Sequence, residues 1–146
     1  MTSDSKTESR IRDSFRLQKV MSTIGAELVE VAPGRVRITL PYRGDLTQQH
    51  GYLHAGIVTT IVDSACGYAA YTLMPEDSGV LAVEFKVNLM APAKGERFMA
   101  IGEVERSGRT LTVCTGRCLA IDDGKETVVA MMQATMMCLR DRGIQG

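Results

Sequence analysis

Apolar and polar residues alternate along most of the chain, and this period of two predicts β-strands. From Glu27 to Tyr42 the alternation is interrupted by Pro33-Gly34, which predicts a hairpin of two strands joined by a turn. Further along, the same alternation returns in four segments separated by turn residues. These segments predict strands at 83–89, 97–105, 110–121 and 127–139.

Two other segments have helical spacing instead. Residues 9–24 place apolar side chains mostly three or four apart, which predicts an amphipathic helix that Gly25 would end. Residues 55–74 are apolar or small on nearly every turn and contain no internal proline, which predicts one long helix that is covered on most sides. The polar residues 1–8 are expected to be disordered.

This order of elements predicts an α+β domain. A sheet must bury one face, and the long helix is the element available to cover it. We therefore expect a curved antiparallel sheet wrapped around the central helix, with an extra helix at the N-terminus and four consecutive antiparallel strands after the central helix. A length of 146 residues predicts a single domain over 1–146.

Charge and composition narrow the function classes. Seventeen basic and seventeen acidic side chains cancel without forming a basic stripe, so no nucleic-acid partner is expected. The polar N-terminus is unlike a secretory signal and no apolar run could span a bilayer, so we expect a cytoplasmic protein without a membrane partner. The four cysteines lack metal-ligand spacing, and we expect buried, inert thiols and no metal site.

Candidate chemistry lies at the start of the long helix. The two histidines of the chain, His50 and His54, precede it, and His54 is followed by Ala55 and Gly56. The N–H groups of a first helical turn lack intrahelical acceptors and lie at the positive end of the helix dipole, so these two donors could hold a developing oxyanion. Asp63 follows among apolar residues, where an unpaired carboxylate is costly to bury and therefore suggests function.

The spacing also constrains how such a site could work. Nine residues of helix separate His54 from Asp63 by about 13 Å, too far for both ends to contact one carbonyl within a chain. If both act on the same carbonyl, they must come from different subunits. A two-fold dimer with antiparallel copies of the helix has the required symmetry.

The run Gln48-x-x-Gly51-x-x-His54-Ala55-Gly56, with Asp63 nine residues after the histidine, resembles the signature of the hotdog-fold thioesterases. It is most similar to the phenylacetate-degradation (PaaI-type) and 4-hydroxybenzoyl-CoA thioesterase group. The similarity continues into VEFKVNLMAPAKG and VERSGRTLTVCTGRCL and covers roughly residues 31–139.

The resemblance implies a hotdog fold and an activity. The reaction is hydrolysis of an acyl-CoA thioester, with an aryl, phenylacetyl or medium-chain acyl group, to the free acid and CoA. It implies no cofactor besides the CoA of the substrate. It also implies a homodimer with active sites at the subunit interface, and a dimer of dimers as the larger assembly.

The resemblance further implies roles for individual residues. The N–H of Ala55 polarises the thioester carbonyl, and Asp63 is the nucleophile or the general base. The side-chain amide of Gln48 orients the carbonyl or water, and His54 supports that amide. The candidate catalytic residues are thus Asp63, Gln48, His54, Ala55 and Gly56, and the candidate substrate-binding residues are Gly51, Ser64, Tyr68, Ala82, Arg106, Gly108 and Arg109.

The β-hairpin turn around Gly108 is the candidate site for the phosphates of coenzyme A. In similar proteins this region contacts them through backbone N–H groups and guanidinium groups, here those of Arg106 and Arg109. A solvated hairpin with two surface arginines is the alternative interpretation.

Two positions depart from the family pattern. The common His-Gly-Gly is His-Ala-Gly here, which is compatible with ordinary helical angles at Ala55. Related enzymes also offer a hydroxyl near the acid, at positions that are Gly67 and Ala82 in this chain. Ser64 or Tyr68 could substitute. This difference motivates the alternative of a non-catalytic acyl-CoA-binding or regulatory hotdog protein, whereas the motifs of hotdog dehydratases are absent.

Overall fold

The computed structural model describes residues 3–140, and within them the chain forms three α-helices and six strands. The strands form one antiparallel sheet in the order β1-β2-β4-β5-β6-β3, which confirms the predicted α+β class. The elements are α1 (Ser3–Leu17), α2 (Lys19–Ile24), β1 (Glu27–Ala32), β2 (Arg35–Pro41), α3 (Ala55–Tyr71), β3 (Ser78–Leu89), β4 (Arg97–Ser107), β5 (Leu111–Asp122) and β6 (Lys125–Arg140).

The strand that follows the central helix does not pair with its neighbour in sequence. β3 pairs with β6, from Ser78 opposite Arg140 to Leu89 opposite Ala130. It cannot pair with β4, because β2 occupies the edge of β4 that β5 leaves open. The four consecutive strands predicted after the helix are therefore present, but β3 crosses over and becomes an end strand of the sheet.

The central helix α3 packs against β2 to β6 and comes very close to the sheet at a pair of glycines. Gly102 of β4 lies opposite Gly116 of β5. A Cβ atom at Gly102 would overlap the backbone of Ala65, and one at Gly116 would lie 2.7 Å from Sγ of Cys66. The close approach of α3 to the sheet therefore depends on the absence of side chains at these two positions. No helix within residues 3–140 is long and apolar enough to cross a membrane.

The N-terminal helix differs from its prediction in two ways. It begins at Ser3, so the expectation of disorder is wrong for residues 3–8, while residues 1 and 2 lie outside the described residues. It also breaks at Gln18, where the backbone is extended (φ −81°, ψ 91°), and continues as α2 up to Gly25, as predicted. The break changes the helix direction so that Met21 and Ile24 become buried, while Leu17 remains 81% exposed.

Arg10 joins this N-terminal segment to the end of the central helix. Its guanidinium donates hydrogen bonds to the carbonyl oxygens of Tyr71, Met74 and Pro75 at 2.9, 3.1 and 2.6 Å, and it lies 4.1 Å from the ring centre of Tyr71. A cation at this end complements the helix dipole and satisfies terminal carbonyls. α3 ends at Tyr71 rather than at the predicted Met74, since Pro75 disfavours a helical conformation at the residue before it.

The four cysteines are buried free thiols, as predicted. Burial raises the pKa of Cys114 and of Cys118 to about 12. Because the thiolate is the reactive form, such thiols are unreactive at neutral pH.

Candidate active site

The N-terminus of α3 leaves one backbone donor uncommitted. His54 caps the helix, and its Nδ1 accepts a hydrogen bond of 2.8 Å from the N–H of Gly56. The carbonyl oxygen of His54 accepts from the N–H groups of Ile57 and Val58. The N–H of Ala55 has no acceptor within residues 3–140. Of the two oxyanion donors expected from the sequence, Ala55 is therefore available, whereas the N–H of Gly56 is occupied by the histidine cap.

Gln48 lies in a tight loop that precedes the helix. Its Oε1 accepts hydrogen bonds from the N–H groups of His50 (2.6 Å) and Tyr52 (3.3 Å), so the side-chain carbonyl closes its own loop. Gly51 has a φ of +83°, which favours glycine, and its carbonyl oxygen accepts from the hydroxyl of Tyr42. Among the described residues the Nε2 donors of Gln48 have no partner, and they are the groups left for a ligand. No hydrogen bond joins His54 to this amide within residues 3–140, and Nδ1 of the histidine binds the N–H of Gly56.

Gln48 and Ala55 open onto a cavity of about 490 Å³, which we call the Gln48 cavity. Its walls are mostly apolar and include the C-terminal end of β3. They are formed by Gln48, Tyr52, Leu53, Ala55, Val58, Val129 and residues 89–93.

Asp63 lies in a second cavity of about 130 Å³, which we call the Asp63 cavity. It is lined by Gln18, Asp63, Ser64, Gly67, Tyr68, Met136 and residues 80–82 of β3. The Oδ1 atom of Asp63 is buried without a hydrogen-bond partner in the described structure. Burial raises the pKa of this carboxyl above its ordinary value of 3.8. The charged form is thus more basic than that of an exposed aspartate, which suits it to accept a proton or to attack a carbonyl.

The Asp63 cavity has hydroxyls on one wall and none on another. Gly67 and Ala82 bring no polar side chain to it. The hydroxyls of Ser64 and Tyr68 are present, as the sequence suggested. Both are bound to Gln18: the Ser64 hydroxyl donates to Oε1 at 2.8 Å, and Nε2 donates to the Tyr68 hydroxyl at 3.1 Å.

Gln18 was not identified from the sequence. A continuous helix over 9–24 would have made it one more polar residue of an amphipathic surface. One signal was available: Ile11 and Phe15 define the buried face of α1, and position 18 continues their spacing of three to four residues. A polar side chain on an apolar stripe is worth examining.

Within one chain the two halves of the candidate site are separate. Ala55 and Asp63 are about 12 Å apart along the axis of α3, and each lines its own cavity. The two cavities border opposite ends of β3. The hairpin residues Arg106, Gly108 and Arg109 are exposed, and they line neither cavity.

The strand between the two cavities has a free edge. On the side away from β6, β3 has no partner strand within residues 3–140. Its large apolar side chains are nevertheless half exposed, with values of 46 to 56% for Leu81, Val83, Phe85 and Leu89. A long apolar edge strand of this kind is typical of a surface that pairs with another strand.

The described residues form no group of three or more histidine, cysteine, aspartate or glutamate side chains that could hold a metal ion.

Comparison with protein families gives a match to the family described as the Thioesterase superfamily, over residues 50–127. Among solved structures, a thioesterase family protein from Silicibacter pomeroyi is 54% identical, covers 92% of this chain and 98% of its own, and superposes with a TM-score of 0.91. The PaaI protein of the phenylacetic acid degradation operon of E. coli is 14% identical, with a TM-score of 0.84 over 99% of this chain and 100% of its own, and shares the fold.

Two curated relatives carry names that include coenzyme A. Acyl-coenzyme A thioesterase 13 of Homo sapiens is 33% identical over 85 residues, which are 58% of this chain and 60% of that protein. The 1,4-dihydroxy-2-naphthoyl-CoA hydrolase of Listeria monocytogenes is 24% identical over 123 residues, which are 84% of this chain and 98% of that protein.

Proposed function

The chain belongs to the thioesterase superfamily, and from this premise we propose that it hydrolyses acyl-CoA thioesters at two equivalent sites between the subunits of a homodimer. The hotdog fold and the thioesterase class of enzyme predicted from the sequence are confirmed. The identity of the thioester, the roles of the residues and the assembly are the proposal.

The observation that carries the proposal is the position of the two cavities at the two ends of β3. Residues 80–82 border the Asp63 cavity, and Leu89 borders the Gln48 cavity. If the free edges of two β3 strands pair antiparallel, each Asp63 cavity meets the Gln48 cavity of the partner. The carboxylate and the Ala55 donor then come together on one carbonyl without any change within a chain.

The charges on β3 select one register for this pairing. With Phe85 on the two-fold axis, Glu84 lies opposite the partner's Lys86. Glu84 and Lys86 are on the same face of the strand, because they pair with Thr135 and Gln133, two residues apart on β6. Sliding the partner by two residues places Glu84 opposite itself or Lys86 opposite itself, and like charges directly opposite are destabilising.

In the composite site, Asp63 of one chain either activates a water molecule or attacks the carbonyl carbon itself, and the developing oxyanion is bound by the N–H of Ala55 of the partner chain. In the water route the carboxylate takes one proton from water as the new C–O bond forms. The C–S bond then breaks, and the proton passes to the CoA thiolate. The free Nε2 donors of Gln48 add a second contact to the carbonyl oxygen.

The acyl group is proposed to be an aryl, phenylacetyl or medium-chain group. The mostly apolar Gln48 cavity, at about 490 Å³, falls in the range of about 300 to 1,000 Å³ that is usual for small-molecule sites. The phosphates of CoA are proposed to bind Arg106 and Arg109. Both arginines are exposed, and their side chains make no hydrogen bond or ion pair within residues 3–140.

Thiol release from a panel of acyl-CoA esters tests the substrate class. The same acyl groups should also be offered as N-acetylcysteamine thioesters, which lack the phosphates. We expect Arg106→Ala and Arg109→Ala to raise KM for the CoA esters only, while Arg117→Ala, an exposed arginine of β5, leaves both series unchanged. Absence of turnover on every ester of the panel would contradict the proposal.

The shared site is tested by mixing two inactive chains. Gln48→Ala and Asp63→Asn subunits that are unfolded and refolded together should form heterodimers with one intact site each, and about a quarter of the wild-type activity should return. A mixture of Gln49→Ala with Asp63→Asn, refolded in the same way, is the control that measures how much active protein the refolding procedure recovers. If confirmed heterodimers of the first pair stay inactive, the two residues do not act across the interface.

A further inference from the structure

The N-terminal segment contributes a side chain to the Asp63 cavity, although it lies outside the part of the chain that carries the thioesterase motif. Gln18 stands at the break between α1 and α2, in extended backbone conformation. Its side chain is half-buried and lines the cavity together with Asp63. The helix break is what allows this, since an uninterrupted helix would place the side chain differently.

The amide of Gln18 is held at both ends. Oε1 accepts from the Ser64 hydroxyl at 2.8 Å, and Nε2 donates to the Tyr68 hydroxyl at 3.1 Å. The Tyr68 hydroxyl is in turn 3.2 Å from the hydroxyl of Ser14 on α1. With Oε1 toward Ser64 and Nε2 toward Tyr68, the amide links α3 to the N-terminal segment through two hydrogen bonds. Ser64 and Tyr68 are both almost fully buried, whereas Gln18 is half-buried.

Oε1 of Gln18 and the hydroxyl of Ser64 still have lone pairs that can accept further hydrogen bonds. An amide oxygen has two lone pairs, of which the Ser64 hydroxyl uses one, and a serine hydroxyl that donates still has two lone pairs to accept with. Oδ1 of Asp63, in the same cavity, has no partner. A buried water needs two to four polar partners, and the cavity offers them between Asp63 and Gln18. Gly67 and Ala82, which also line the cavity, have no polar side-chain atoms to offer.

We propose that Gln18 is a positioning residue for the hydrolytic water. In this arrangement the water directs one proton to the Asp63 carboxylate and the other to Oε1 of Gln18, so that its lone pair faces the carbonyl carbon of the acyl group. Asp63 removes the first proton as the C–O bond forms, and the second proton stays on the oxygen that enters the acid. This inference rests on the proposed function, because it requires thioester hydrolysis at Asp63.

The test uses Gln18→Met, which removes the amide while keeping the length and approximate volume of the side chain. Misplacement of the water by about 1 Å is expected to lower kcat by roughly 10- to 100-fold, with KM within about threefold for every acyl group. Gln133→Met, at an exposed position of β6, is the matched control and should keep wild-type kinetics.

Competition between water and hydroxylamine for the acyl group separates a positioning role of Gln18 from a merely structural one. Hydroxylamine converts an acyl thioester to the hydroxamate and free CoA. As a stronger nucleophile than water, it depends less on being oriented. Gln18→Met should therefore raise the ratio of hydroxamate to free acid at least about fivefold relative to the wild type. A damaged fold would lower both products in the same proportion.

A lower kcat with a raised hydroxamate ratio supports the inference, and recovery of hydrolysis by Gln18→Glu, which keeps the acceptor oxygens, would support it further. Equal loss of both products, or a KM effect confined to some acyl groups, overturns it while the wild-type activity stands. A wild-type protein without turnover on any acyl-CoA overturns the proposed function and this inference together.

Discussion

At the scale of single residues, the central feature is a carboxylate with one buried oxygen that has no hydrogen-bond partner in the described structure. Oδ1 of Asp63 is buried and unpaired, so the fold pays for the charge without a compensating contact. Groups of this kind are typical of catalytic sites, where stability is lost in favour of reactivity.

Asp63→Asn should separate these two effects. The chemical step should slow by at least about 100-fold, because the amide can neither accept the proton nor attack, while binding of product CoA should stay within a few fold. The free energy of unfolding at pH 7 should rise by about 1 kcal/mol, since a neutral amide replaces an unpaired charge. Steady-state kinetics and urea unfolding measure both, and Asp77→Asn, in an exposed loop, is the control. Wild-type kcat in Asp63→Asn would refute the catalytic role.

The pH dependence follows from the raised pKa of Asp63. The reactive form is the carboxylate, so kcat/KM should fall as the pH is lowered through the raised pKa, with the acid limb above the ordinary value of 3.8. For stability, a raised folded pKa favours the protonated form. The contribution of Asp63 is thus full below the unfolded pKa and is lost as the pH rises through the folded pKa. The stability gap between wild type and Asp63→Asn should widen from pH 3 to pH 7.

The sequence was sufficient to name Asp63 and Ala55 as candidates, because an acid among apolar residues and a helix start after a histidine are both local patterns. The sequence was not sufficient to predict whether the N–H of Gly56 is free, because that depends on the rotamer of His54, whose Nδ1 accepts from it. Gln18 was missed for a different reason. Its partners Ser64 and Tyr68 are about fifty residues away in the chain, and nothing in a helical pattern indicates them.

At the scale of elements, the central helix α3 can lie close to the sheet because Gly102 and Gly116, which face it, have no side chains. Gly102→Ala should lower the free energy of unfolding by about 1 to 3 kcal/mol, because the new methyl group meets the backbone of Ala65, which cannot rotate away. Gly44→Ala is the matched control, since a Cβ there meets nothing within 4 Å, and it should change stability by less than about 0.5 kcal/mol.

Both variants should be unfolded in urea at the same protein concentration, because association would add to the apparent stability. Equal midpoints for Gly102→Ala and the wild type would show that the helix can shift away from the sheet at little cost.

Most elements were predictable because their periodicity is local. The hairpin of β1 and β2, the start of α3 at Ala55 and the strands β4 to β6 all agree with the pattern to within about two residues. The pairing of β3 with β6 was not predictable, because strand order depends on which edges remain open after β2 has paired with β4. The start of β3 at Ser78 was also missed, since the turn residues around Pro75 obscured it.

At the scale of the whole molecule, the proposed dimer depends on the pairing of Glu84 with the partner's Lys86. Lys86→Glu should weaken dimerisation at least tenfold, because it places two carboxylates opposite each other on both sides of the axis. The double variant Glu84→Lys with Lys86→Glu restores opposite charges and should regain the affinity. Sedimentation equilibrium measures both.

Lys125→Glu, at the exposed first residue of β6, controls for the change in net charge. Wild-type association of Lys86→Glu would exclude the register with Phe85 on the axis. A tetramer of the wild type that dissociates into dimers would agree with the expected dimer of dimers. In that case Lys86→Glu should still weaken the association of the two chains within each dimer.

The clamp of Arg10 on the end of α3 has a consequence for biosynthesis. Arg10 leaves the ribosome more than sixty residues before the carbonyl groups of Met74 and Pro75 that it binds. At about 5 to 20 residues per second, the Arg10 guanidinium therefore waits for roughly 3 to 13 seconds before these carbonyl groups exist. The contacts of α1 with α2 and β1 can form earlier, because those elements precede α3 in the chain. The clamp on the end of α3 is thus a late event in the emergence of the chain, and it forms only after the whole central helix has been made.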